Sequence, residues 1–212
     1  MTFLLPLLAA WLIVIFVHVT TFAVVGRLMA VGIDEVRYFF GPTLLKFRVL
    51  KIQVRLRSLP LGGNVKFEEE SYHKKSLLKR LLLTLSACTS LLIVACICLG
   101  AGEAWISFTH GYVDLLQSFN PASSKRLELI AAAHEYLKQA TFWQTFGVVC
   151  AKICAVNLLP LPVLNGGLAL WLTVKSIIPI SETVDEIVAW LSLLIWLAFI
   201  GMWVYSLVSY VL

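Results

Sequence analysis

Asn157-Leu158-Leu159-Pro160-Leu161-Pro162-Val163-Leu164-Asn165-Gly166-Gly167 interrupts an apolar run that extends from residue 142 to 174. Apart from Lys152 and two cysteines, that run has no ionisable side chain. Proline cannot continue a helix, and paired glycines reach backbone angles closed to other residues, so the chain breaks here. Backbone amides in lipid must bond within the protein, so such a break needs covering protein around it.

Three more apolar runs flank this one. Residues 3–26 contain a single ionisable group, His18; residues 81–101 contain only cysteine thiols; residues 187–212 have no Asp, Glu, Lys or Arg. About 20 helical residues cross a hydrocarbon layer about 30 Å thick. The expected class is therefore a polytopic α-helical membrane protein with about four transmembrane helices, near 3–27, 79–101, 142–174 and 187–212. The composition, 60% hydrophobic and 14% charged, agrees, since a soluble domain carries about a quarter charged residues. The first run lacks a basic leader and a small-residue cleavage site, so it is expected to be a retained span rather than a secretory signal.

Twelve of the 17 basic residues fall between Arg27 and Arg80. The positive-inside rule places the loop 27–80 in the cytoplasm. The termini and an extramembrane loop, 102–140, are then expected on the opposite side. The short link 173–185 would be cytoplasmic, but it is acidic and bears little on orientation. Anionic headgroups of the lipid bilayer, rather than a nucleic acid, are the expected partner of the basic stretch. The five cysteines, Cys88, Cys96, Cys98, Cys150 and Cys154, all fall within expected spans and read as small apolar residues, with no zinc-knuckle spacing.

Residues 46–57, Lys-Phe-Arg-Val-Leu-Lys-Ile-Gln-Val-Arg-Leu-Arg, alternate polar and apolar with a slip of one at Leu50-Lys51. Period-two alternation predicts strands, and the slip predicts a tight turn or a bulge. A small β-hairpin, within a β-loop spanning 36–67, should lie against the bilayer or dip into it, closed by Leu59-Pro60-Leu61-Gly62-Gly63-Asn64-Val65-Lys66. Beyond Asn120-Pro121, Ser123 or Ser124 can cap a helix that continues to about residue 140.

The break motif resembles the N-x-x-P-x-x-x-L-D-G-G signature of the site-2 protease family of intramembrane zinc metalloproteases. Gly41-Pro42, the amphipathic hairpin and Leu59–Lys66 resemble that family's membrane-associated β-loop, and the order of segments is the same across most of the chain. The exception is 102–140, where the family often carries a PDZ domain. The resemblance implies two zinc-ligating histidines and a basic glutamate in an H-E-x-x-H helix, plus an aspartate before the paired glycines. Two histidines at i and i+4 share a helix face and reach one ion, while the glutamate takes a proton from the metal-bound water.

Here Asn165 stands in place of the aspartate. On the first span His18 falls at the first histidine, Val19 at the base and Phe22 at the second histidine. Gly32 arrives two residues late, and a register shifted by two places Thr20, Thr21 and Val24 on the motif. Neither register restores H-E-x-x-H. His18 by itself reads as a hydrogen-bonded interior histidine, and Asn157 and Asn165 as residues bonding backbone groups freed at the break. The catalytic positions are thus degenerate, with no metal ligand set and no cofactor expected. The resulting expectation is a catalytically inactive, site-2-protease-like scaffold in a multi-pass setting, a bacterial inner membrane. It would bind another membrane protein or a transmembrane peptide through Gly62, Gly63, Asn64, Asn157, Pro160 and Asn165. The alternative is an active zinc protease with atypical or partner-supplied ligands.

Overall fold

The structure, a computed structural model, describes residues 4–118 and 125–211. The proposed caps Ser123 and Ser124 and the Asn120-Pro121 break lie outside the described residues. Eight helices and two long strands follow in order: α1 (Leu4–Leu28), β1 (Ile33–Val49), β2 (Ile52–Phe67), α2 (Glu69–His73), α3 (Leu77–Leu99), α4 (Ala101–Ser118), α5 (Lys125–Gln139), α6 (Phe142–Asn157), α7 (Asn165–Ile177) and α8 (Glu182–Val211). Among the described residues, three helices are long and apolar enough to cross a membrane: Leu4–Leu28, Leu77–Leu99 and Glu182–Met202. The expected third span is instead two shorter helices, α6 and α7, separated at the Pro160–Pro162 break.

Helices α1, α3, α4 and α6 pack into one core, containing Ala10, Val14, Leu91, Ala95, Ala104, Phe108, Phe146 and Ala151. Small residues govern how closely these helices approach, as expected where lipid supplies no hydrophobic drive between them. A Cβ at Gly147 would come within 2.6 Å of Leu99 and 2.8 Å of Cys98. One at Gly111 would come within 2.8 Å of Ala155. Cys88, Cys150 and Cys154 are buried in the same core as free thiols.

The stretch 102–140, expected as an extramembrane loop, contains the helices α4 and α5. The α4 helix packs on α6 and buries Ala104 and Phe108 in the core. An ion pair between Asp114 and Lys152 joins these two helices, which gives the one basic residue of the 142–174 run its partner. The helix expected to end near 140 is α5.

The hairpin is longer than the alternating segment that announced it. Leu50 and Lys51 form its turn with positive φ values of 48° and 71°, where the phase slip fell. Positive φ at both central residues suits the right-handed twist of a hairpin. Each strand is also bent. Residues 35–38 pair on one side with residues 66–63 and on the other with 53–56. The outer segment 45–49 pairs with 56–52. The first half of β1 is therefore enclosed between the two halves of β2, and segments 43–49 and 63–67 form the edges.

One face of this sheet packs along α1. Val36 and Val54 are buried against Ile15 and Val19, Tyr38 Oη lies 2.8 Å from Thr20 Oγ1, and Trp11 Nε1 donates to the Pro60 carbonyl at 2.6 Å. Phe67 lies against Gly26. From Gly26 to Trp11 is about 22 Å along a helix, so the sheet extends well along the first span. On the opposite face Glu35 is buried, ion-paired to Arg37 at 2.5 Å and to Arg55, and bonded by Gln53 Nε2 at 3.1 Å. Burial pushes the Glu35 carboxyl up, but the Arg37 bond and charge, the Arg55 charge and the Gln53 bond outweigh it and hold it below its ordinary 4.5.

Folding lowers this pKa, so the cluster's stabilisation is fully present above pH 4.5 and is lost as pH falls through the lower folded-state value. Glu35→Gln should loosen the sheet by about 1.5–3 kcal/mol, the range for hydrogen bonds to a charged group. Amide exchange of residues 33–38, corrected for intrinsic rates, should then show less protection at pH 7 and none of the wild-type loss of protection as pH falls below 4.5.

Candidate functional site

The first span, α1, supplies His18, and the start of α7 supplies Asn165. They are 147 positions apart in the chain, yet Asn165 Nδ2 lies 3.5 Å from His18 Nε2. The same amide nitrogen is 3.3 Å from Cys88 Sγ on α3. Cys154 on α6 donates to the Cys88 carbonyl at 3.2 Å. A chain of polar contacts thus links α1, α7, α3 and α6 at one depth of the bundle. Cys88 gave no sequence signal, because nothing in its spacing relates it to either partner.

Two glycines make the approach of α7 possible. A Cβ at Gly166 would strike the carbonyl of Leu158, and one at Gly167 the backbone of Leu161. The segment 158–164 folds tightly over the N-terminus of α7, with Leu164 N bonded to Leu161 O at 2.7 Å and Leu168 N to Leu164 O at 2.8 Å. The amide of Val163 donates to the hydroxyl of Ser192 from α8 at 2.9 Å. Ser192 is buried.

Asn157 and Asn165 do different work from that expected of them. Asn157 Nδ2 bonds Ile153 O, one turn back in its own helix, at 2.9 Å. Asn165 turns its amide nitrogen to side chains of α1 and α3 rather than to backbone. Part of the freed backbone of the break is bonded by short-range turns and by Ser192 instead. Pro160 is exposed on this loop.

The other positions next to His18 are apolar and packed. Val19 is fully buried beneath the sheet, and a Cβ at Gly63 would come within 2.8 Å of its Cγ2 and strike the Arg37 carbonyl. Gly63 is therefore the point at which β2 touches α1. Gly62 has φ +146° beside the Phe40 ring, and Asn64 is exposed opposite Arg37. Phe22 stands edge-on to the His18 ring, centroids 5.3 Å apart. His18 Nδ1 is buried and has no hydrogen-bond partner among the described residues.

Apolar helices, a break whose second half brings Asn165 to His18, and a sheet lying along the first span place one imidazole and one amide together inside the bundle. Residues 6–199 match Peptidase family M50, and the chain belongs to that family, the site-2 protease family. No curated protein matches the chain.

The family is normally zinc-dependent, and the residues at this point do not fit zinc. Among the described residues no group of three His, Cys, Asp or Glu side chains converges to hold a metal ion. The available donors are one imidazole, one neutral amide that presents its nitrogen, and a thiol that accepts from that amide. Zinc takes thiolate, imidazole or carboxylate ligands, and a dication without anionic partners in an apolar setting is costly.

Truncating either member of the His18–Asn165 pair should destabilise the bundle. A double-mutant cycle with His18→Ala and Asn165→Ala, read by unfolding in detergent, should return a coupling of about 0.6 kcal/mol, the typical value for polar contacts between membrane helices. Strictly additive losses would mean the two side chains do not meet.

Proposed function

We propose that this chain is a catalytically inactive member of the site-2 protease family that acts as a scaffold or binding subunit for another membrane protein. One observation carries the reading. His18 and Asn165 still meet as a ligand pair would, while the base position is a valine buried under the sheet and the second histidine position is a phenylalanine packed on His18. Without a positioned carboxylate, general-base assistance of about 10²–10⁴-fold is missing.

The binding surface in this reading is the sheet. Segment 43–49 pairs only with β2 on its inner side, and segment 63–67 pairs only with β1. Both edges leave backbone groups free to add an extended strand from a partner, which is a recurrent way of holding peptides. Gly62, Gly63 and Asn64 lie on one of these edges, at the point of contact with α1 beside His18. With the loop 27–80 on the cytoplasmic side, of a bacterial inner membrane in this reading, the partner segment would enter from that side.

Protein purified in mild detergent should contain far less than one zinc per chain, and a chelator should leave its behaviour towards a membrane-spanning test peptide unchanged. Photocrosslinkers placed at residues 45, 47 and 64 should capture a co-purifying membrane protein, whereas one on the exposed face of α5 should not. Stoichiometric zinc that disappears in His18→Ala and Asn165→Ala, together with chelator-sensitive cleavage, would replace this reading with an active protease of unusual ligands.

A further inference from the structure

The sheet face turned away from α1 is strongly cationic, and the protein does not neutralise it. Paired residues in a sheet share a face, and alternate residues along a strand share it too. By register, Glu35, Arg37, Lys46, Arg48, Gln53, Arg55, Asn64 and Lys66 lie on that face, and Arg57 follows Arg55 by the same alternation. No acidic residue occurs between positions 36 and 67, while seven basic residues do. Glu35 compensates Arg37 and Arg55, and Asp34 lies 3.7 Å from Lys66. Lys46, Arg48 and Arg57 have no carboxylate partner among the described residues.

Two features bear on this excess charge. Lys46 stands directly opposite Arg55, and like charges facing each other across a ladder are destabilising unless something anionic lies between them. Arg57 Nε is buried and finds no hydrogen-bond acceptor among the described residues. A guanidinium is always charged and presents a planar fork of donors that fits phosphate oxygens in pairs.

The position of this face argues for a lipid source of the phosphate. Residues 38–45 and 58–65, at the bent end of the sheet that reaches Trp11, contain no charged side chain. There Phe40, Leu44, Leu45, Leu59 and Leu61 are exposed. The hairpin end, with Lys46, Arg48 and Lys51 exposed, lies towards the Arg27 end of α1, because residues 52 and 53 pair at the level of residues 35 and 49. An apolar end for the acyl region and a cationic end beside the membrane surface match the two layers of one leaflet.

We propose that the polar face of the sheet binds the phosphate of an anionic phospholipid headgroup, with Lys46, Arg48 and Arg57 as its ligands and the Phe40–Leu45 and Leu59–Leu61 bends beside the acyl chains. This holds whether or not the chain hydrolyses anything, so its test is separate from that of the scaffold reading.

The full chain in a neutral detergent is titrated with dioctanoyl phosphatidylglycerol and, in parallel, with dioctanoyl phosphatidylcholine, and thermal unfolding is followed. The anionic lipid should raise the unfolding temperature in a saturable way, and the zwitterionic lipid of equal chain length should not. Each cation near a membrane surface is worth about fivefold in affinity. The double variant K46Q/R48Q should therefore weaken binding about 25-fold, and Lys138→Gln, on α5, should leave it unchanged. Lys46 and Arg48 are exposed, so this variant is expected to fold, and adding Arg57→Gln extends the series. Equal stabilisation by both lipids would overturn the proposal. So would an unchanged affinity in K46Q/R48Q, or the same stabilisation by inorganic phosphate or by polyglutamate at equal charge.

Discussion

A backbone group in hydrocarbon has no water to bond, and this constraint governs the parts of the fold that are not plain helix. Two segments depart from helix beside apolar spans, and each is covered or self-bonded. The 158–164 break closes on itself through short turns and takes one hydroxyl from Ser192. The sheet pairs its inner segments on both sides and lays its apolar face on α1. Gly63, Gly166 and Gly167 are needed for this covering, because at each of them a Cβ would enter neighbouring backbone. The glycines of the motif thus answer to packing before they answer to chemistry.

This separates two questions that the motif merges. The contact of His18 with Asn165 follows from how α7 re-enters the bundle. Catalysis asks for more: three strong donors and a carboxylate within reach of a bound water. Here the neighbouring positions are committed to apolar contacts, Val19 with the sheet and Phe22 with His18 itself. The contact between the two motif helices is present, and among the described residues no three His, Cys, Asp or Glu side chains converge beside it.

Much of this was readable from the chain, for identifiable reasons. Long apolar runs gave α1, α3 and α8, because length and composition alone determine whether a helix can cross. The period-two pattern of 46–57 gave the hairpin, and its slip located the turn at Leu50-Lys51. The bends were not legible: Leu59–Lys66 read as the segment that closes the hairpin, whereas the strands continue through Gly41-Pro42 and Leu59-Pro60 and pair a second time. The α4 helix was hidden because Glu103, Thr109, His110 and Asp114 dilute its hydropathy, while the narrow face of Ala104, Phe108 and Gly111 does the packing. His18 and Asn165 were linked only through resemblance, since no local pattern spans 147 positions. Cys88 and Ser192 were missed because a single polar atom has no periodicity to reveal it.

The tight seam of Ala95, Gly147, Ala151 and Ala155 has a wider implication. It fixes the spacing of α3, α4 and α6 by atom-to-atom fit, and none of its members is a ligand. An enzyme whose shape depended on its ion would unfold on losing it. In this chain the residues that set the helix spacing are separate from the pair that meets at His18 and Asn165.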